Sequence, residues 1–132
     1  MKAAWLVVCL AVVFASAVGC NPFAPNQSVI LPVTKVEAPA TAGTGSAFSV
    51  TLTVQTGGCT RFDRIDVQKV AAGARMIPWG TNASIGHKNV SCPDDIRYEP
   101  HTVQLDPPFA DPFTITVEQG DSAPITTVVR IQ

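Results

Sequence analysis

The sequence predicts an all-β domain, a two-sheet sandwich of about seven strands. Short segments in which apolar and polar residues alternate recur about every ten residues along the chain. The composition agrees with this prediction, because only 14% of the residues are charged and 11 prolines are spread among these segments as turn signals. The sequence carries no sustained helical periodicity.

The first strands are predicted over residues 30–36 and 48–55, with a glycine-containing turn at 39–46 between them. The second strand is the clearest in the chain, since its apolar residues alternate strictly with hydroxyl and amide side chains. Such alternation predicts one packed face and one solvated face. Gly57–Gly58 ends this strand.

The next strand contains an irregularity. It opens at Cys59, but Phe62 is out of phase with Ile65 and Val67. Either a bulge at Asp63–Arg64 or a late start of the strand would restore the alternation.

Glycines and prolines divide the remainder of the domain. A hairpin at 72–73 leads into a strand over 74–79, which Pro78 and Gly80 are expected to stop. Residues 84–91 are weakly patterned and fit an edge strand or a loop.

Two further strands are predicted near the end of the chain. A short strand at 103–105 follows Pro100, and the prolines between 107 and 112 predict a stiff connection. Strands over 113–117 and 125–131, joined by a turn at 119–121, complete the domain.

The first 19 residues have the pattern of a cleaved export signal. Lys2 precedes an apolar run over residues 5–14, which is too short to span a bilayer and is followed by small residues. The sequence AVGC at 17–20 resembles the lipobox of bacterial lipoproteins. This resemblance implies cleavage before Cys20 and attachment of diacylglycerol and palmitate-type acyl chains to that cysteine. We therefore expect a membrane anchor.

Ordinary secretion is the alternative. Residues 15–17 form an A-x-A cleavage site that would release a soluble chain beginning at Val18. For the anchored form, Asn21 stands where the family's inner-membrane retention residue is Asp, which implies sorting to the outer membrane or cell surface. The expected organisation is a signal peptide (1–19), a lipidated cysteine with a flexible tether (20–29) and one domain (30–132).

The domain itself resembles the small immunoglobulin-like (Ig-like) domains of exported bacterial lipoproteins. The similar stretches are TAG to FSV at 41–50, GCTRF at 58–62, a later cysteine and TITV at 114–117. The resemblance implies an Ig-like β-sandwich over most of residues 33–132. In an oxidising compartment, Cys59 and Cys92 are expected to form a disulfide. A reactive thiol pair is the alternative, but the chain has no C-x-x-C motif.

Charge and motifs exclude several functional classes. Without Lys2 the mature part has 8 basic and 10 acidic residues, which argues against nucleic acid as a partner. A blue-copper site built from Met76, His87, Cys92 and His101 is not predicted, because the interval from Cys92 to His101 is too long and no Met follows. No metal, cofactor or catalytic residue is expected, since G-x-S-x-G, H-E-x-x-H and P-loop motifs are missing from the sequence.

Four residues could form a contact patch for another envelope protein: Arg61, Arg64, Trp79 and Tyr98. The alternative is that Trp79, together with Phe62, simply fills the core. The sequence thus predicts a membrane-anchored lipoprotein of the cell envelope with a binding or structural domain and no enzymatic activity. A secreted or anchored inhibitor of a peptidase is the second hypothesis.

Overall fold

The computed structural model describes residues 26–132, which form nine strands in two packed sheets with one disulfide. The predicted all-β, two-sheet sandwich is therefore confirmed. The strands are β1 (Gln27–Ile30), β2 (Val33–Glu37), β3 (Thr41–Ala42), β4 (Phe48–Thr56), β5 (Thr60–Val70), β6 (Gly73–Asn82), β7 (Arg97–Leu105), β8 (Phe113–Gln119) and β9 (Ser122–Ile131).

One sheet has six strands and the other has three. The larger sheet has the order β1-β6-β8-β9-β3, with β5 on the other edge of β6, and the smaller sheet has the order β2-β4-β7. Strands β6 and β8 are parallel, as are β3 and β9; the other pairs are antiparallel. Because β5 pairs along the whole of β6, strands β1 and β8 share its opposite edge.

The larger sheet begins before the predicted start of the domain. Strand β1 pairs Gln27 with Asn82 and Ile30 with Trp79, so the last three residues of the predicted flexible tether (20–29) belong to the sheet. Val29 packs against the core, and this apolar contact stabilises the segment in the sheet. The predicted first strand over 30–36 is in fact two strands, because the chain changes sheets between β1 and β2.

Strand β6 does not stop at Pro78, contrary to the expectation from sequence. The Pro78 carbonyl accepts a hydrogen bond from the Leu31 N–H at 2.8 Å. The N and C=O of one strand residue point to the same side, so the missing N–H of Pro78 faces the junction between β1 and β8 and removes no bond to β5. The proline is thus accommodated inside a long strand.

Gly80 also lies within β6 and is required there by close packing. It pairs with Val29 and Phe62, both of which pack against the core, so it faces inward. A Cβ at this position would lie 2.5 Å from the Arg61 carbonyl oxygen and 2.6 Å from a Leu31 methyl carbon. The glycine therefore admits the Leu31 side chain onto the strand rather than ending it.

The irregularity in β5 is a bulge. Phe62 pairs with Gly80, and the next paired residue, Arg64, lies opposite Trp79, which leaves Asp63 as the extra residue. The bulge moves Arg64 to the face opposite that of Phe62, although the two residues are only two positions apart. Of the two interpretations of the sequence pattern, the bulge is confirmed.

Strand β7 begins before Pro100, whereas the sequence predicted a short strand after it. The strand runs from Arg97 and pairs Pro100 with Thr53. It lies at the edge of the smaller sheet, where proline is tolerated within a strand. Residues 84–91 form no strand and belong to a loop.

The core lies between the two sheets. The predicted alternation of β4 is confirmed, since its apolar residues are buried and face the larger sheet. The core residues are Leu31, Val33, Phe48, Val50, Leu52, Val54, Ala74, Met76, Leu105, Phe109, Phe113, Ile115, Val117, Val129 and Ile131.

A disulfide connects two segments at one end of the sandwich. Cys59, in the Gly57–Thr60 turn between β4 and β5, is bonded to Cys92, with their Cα atoms 5.0 Å apart. Cys92 lies in the long loop over residues 83–96 between β6 and β7. Gly58 has a φ of 58° at the first central position of the turn, which suits glycine there. We call this turn, this loop and the start of β1 the disulfide end.

Candidate functional site

The structure brings three of the four predicted contact residues onto one face. Arg64 pairs with Trp79 and Arg61 pairs with Thr81, all on the outer face of the six-stranded sheet. Tyr98 pairs with Gln55 and lies on the outer face of the three-stranded sheet. The predicted four-residue patch is therefore wrong in one member, because Tyr98 is on the opposite side of the sandwich.

Arg64 is held above the Trp79 ring. Its guanidinium carbon lies 5.9 Å from the ring centroid, a cation–π distance. The Asp66 and Asp63 side chains also bind the guanidinium, with 3.0 Å between Arg64 Nε and Asp66 Oδ1. These carboxylates raise the pKa of Arg64 above its ordinary value. The guanidinium thus lies between two carboxylates and the indole ring.

Phe62 and Trp79 do not share one role. Phe62 packs against the core, as the alternative interpretation of the sequence expected. Trp79 lies on the outer face and is half-buried, so it does not fill the core. Its Nε1 is buried and has no hydrogen-bond partner in the described part of the chain.

A second cluster of side chains lies where β5 and β7, the edges of the two sheets, face each other. The Phe62 and His101 rings stack with their centroids 3.5 Å apart and their planes 14° apart. Glu99 accepts a hydrogen bond of 2.7 Å from the buried Thr56 hydroxyl. Its other oxygen is 3.5 Å from His101 Nε2, an ionic contact only when the imidazole is protonated. A cavity of about 220 Å³ opens here, lined by Thr56, Thr60, Arg61, Phe62 and Glu99.

This edge cluster was missed from the sequence because β7 was predicted to start after Pro100. Glu99, His101 and Leu105 lie on one face of β7, opposite inward residues of β4. The sequence signal for them is the two-residue period of a strand: counted backward from Leu105 in steps of two, it reaches His101 and Glu99 on either side of Pro100. The cluster places one carboxylate beside one imidazole, and the Thr56 hydroxyl is hydrogen-bonded to the carboxylate.

The four residues considered for a copper site are separated in the structure. Cys92 is bonded to Cys59, Met76 is buried in the core, and His87 lies in the 83–96 loop. His101 stacks on Phe62 instead. Within residues 26–132, no three His, Cys, Asp or Glu side chains lie close enough together to hold a metal ion.

Asp95 connects the disulfide-end loop to the β4–β5 turn. The Gly58 N–H donates to the Asp95 carboxylate at 2.9 Å and to its backbone oxygen at 3.0 Å. Arg97 donates to the same carboxylate at 2.7 Å. The Gly58 N–H, followed by Arg97, lowers the pKa of Asp95, because both interactions favour the ionised form.

Asp95 should make stability pH-dependent in acid. A lowered pKa in the folded state stabilises the fold above the unfolded pKa, and that contribution is lost as the pH falls through the folded pKa. We expect Asp95→Asn to melt at a lower temperature than wild type at pH 7, with the difference shrinking below about pH 4. Asp94→Asn, at the exposed neighbouring residue, is the control and should follow wild type. A difference in melting temperature between Asp95→Asn and wild type that stays the same from pH 7 to acid pH would contradict the assignment.

Comparison of the chain with protein-family models, curated proteins and solved structures found no match. The predicted signal peptide (1–19) and the predicted lipid attachment residue Cys20 lie outside the described residues. Among residues 26–132, no helix is long and apolar enough to cross a membrane.

Proposed function

We propose that the protein is a lipid-anchored lipoprotein of the bacterial cell envelope, whose sandwich is a non-catalytic binding or structural module. The observation that carries this proposal is the AVGC sequence at 17–20, which follows a short apolar run and precedes a domain beginning at Gln27. Two acyl chains or more would hold such a protein on a membrane, since each buried methylene contributes about 0.8 kcal/mol.

The Cys59–Cys92 disulfide supports export. Structural disulfides persist in oxidising compartments and are rare in the cytosol. Asn21, in the position after Cys20, supports transfer to the outer membrane or cell surface.

The contact surface for another envelope protein would be the face that carries Arg61, Arg64 and Trp79. Arginine and tryptophan are the residue types that contribute most at protein interfaces. The Asp63 bulge places Arg64 over Trp79 and so holds both side chains in a defined arrangement before any partner binds. This preorganisation lowers the entropy lost on binding.

Replacing the proposed lipid attachment residue tests the anchor directly. In a bacterial host fed labelled palmitate, Cys20→Ser should abolish labelling and membrane association, because it removes the acylated sulfur. Cys9→Ser is the matched control, since Cys9 also lies in the amino-terminal segment, and it should keep both. Labelling that survives in Cys20→Ser would contradict the proposal. A soluble wild-type protein would instead favour a diffusible binder, including a peptidase inhibitor, which a pull-down with peptidases would then test.

A further inference from the structure

We propose that the disulfide end of the sandwich rests on the membrane surface, with the side chains of the 83–96 loop in contact with lipid headgroups. This inference depends on the proposed anchoring at Cys20. It assigns an orientation to the domain and a lipid surface as the partner of one particular end.

The reach of the chain supports this orientation. Seven residue steps separate Cys20 from Gln27, and a chain of that length spans at most about 25 Å. Gln27 pairs with Asn82 at the disulfide end of β6. The other end of β6, at Gly73, lies about 30 Å away along the strand. Anchoring at Cys20 therefore limits the distance between the disulfide end and the bilayer to about 25 Å, whereas the Gly73 end is connected to the anchor only through the length of the domain.

Exposed apolar side chains are concentrated at the same end. Of the seven large hydrophobic residues that are exposed in residues 26–132, four lie in the loop or directly after it: Ile85, Val90, Ile96 and Tyr98. Ile96 is 63% exposed and Tyr98 is 59% exposed. Tyrosine suits the boundary between headgroups and acyl chains because its ring is apolar and its hydroxyl is polar.

The charges at this end do not oppose contact with a membrane. Lys88 is exposed within the loop, and Arg97 is paired with Asp95 at 2.6 Å. His87 and Asp94 are the other titratable groups of the loop, and Arg61 lies at the start of β5, next to the Gly57–Thr60 turn. The end is close to neutral, so its contribution to membrane contact comes from the apolar side chains.

The loop is held beside the point where the tether enters. A Cβ on Gly86 would lie 3.6 Å from the Gln27 side-chain nitrogen, which places the loop next to the start of β1. The disulfide fixes the other part of the loop to the β4–β5 turn. The loop is thus fixed by the disulfide and lies beside β1, so its side chains need little ordering on contact with a membrane.

Tryptophan quenching by brominated lipid tests the orientation. Trp79 is the only tryptophan outside the signal, so Trp79→Phe gives a silent background for Ile96→Trp at the disulfide end. Val70→Trp, at the opposite end, is the matched control, because Val70 is 66% exposed. The lipidated proteins are purified from membranes, verified by intact mass and circular dichroism, and reconstituted into vesicles of phosphatidylethanolamine, phosphatidylglycerol and brominated phosphatidylcholine. Interfacial side chains lie about 5–10 Å deep, so Ile96→Trp should lose about half or more of its fluorescence, while Val70→Trp should keep nearly all of it.

The outcomes separate the orientation from the anchor. Equal quenching, or none, in acylated proteins that sediment with the vesicles would overturn the orientation and leave the anchor intact. A protein without acyl mass that stays in solution would overturn both. Wild-type protein supplies a second measurement if the variants fail to fold. A water-soluble amine reagent should modify Lys88 several-fold less than exposed Lys35 on vesicles, and equal modification would overturn the orientation.

Discussion

Removing the disulfide with Cys59→Ser and Cys92→Ser together is expected to lower the free energy of unfolding by about 3–4 kcal/mol. The bond closes a loop between residues 33 positions apart, so its loss releases the unfolded chain to many more conformations. In the folded state the variant also loses the covalent connection between the 83–96 loop and the β4–β5 turn. Chemical denaturation in non-reducing buffer measures the difference. The double variant avoids leaving either of these two cysteines as a free thiol, which could link two chains.

Reduction of the wild-type protein provides the control. Reduced wild type should unfold at nearly the same denaturant concentration as the double-serine variant, and the variant itself should not respond to reductant. Equal stabilities of oxidised wild type and the variant would show that the disulfide contributes nothing to the fold.

The second large effect is expected from Phe113→Ala, which should cost about 3–5 kcal/mol. Phe113 is fully buried, and its ring packs edge-on against those of Phe109 and Phe48, with centroids 5.1 Å and 5.8 Å away. Truncation leaves a cavity between the two sheets that these rings cannot fill without leaving their own positions. Denaturant unfolding of the purified variant measures the loss.

Val128→Ala is the matched control for this substitution. Val128 lies on β9, which pairs with the strand of Phe113, but its side chain points outward and is 50% exposed. The control should change stability by no more than about 0.5 kcal/mol. If Phe113→Ala cost no more than Val128→Ala, the assignment of Phe113 to the core would be wrong.

The sequence was most informative where one residue pattern had one physical solution. Strict alternation in β4 predicted its buried and solvated faces, and the phase error at Phe62 predicted the bulge that places Arg64 over Trp79. Both features depend on neighbours close in the chain, and the two-residue period of a strand determines them locally.

The errors came from residues whose effect depends on distant strands. Pro78 and Pro100 appear as strand breakers in isolation, yet Pro78 faces a junction between two strands and Pro100 lies on a sheet edge. Tyr98 was grouped with Trp79 because nothing in the sequence reveals that β6 and β7 belong to different sheets. The Glu99–His101 cluster was missed because β7 was predicted to begin after Pro100.

The intact mass of the protein from the membrane fraction of a bacterial host tests the proposed function most directly. Lipid anchoring predicts a mass equal to residues 20–132 plus an acylated glycerol, recovered with the membranes. A soluble product that begins at Val18, with an unmodified Cys20, would contradict the proposal and with it the orientation of the disulfide end toward the bilayer.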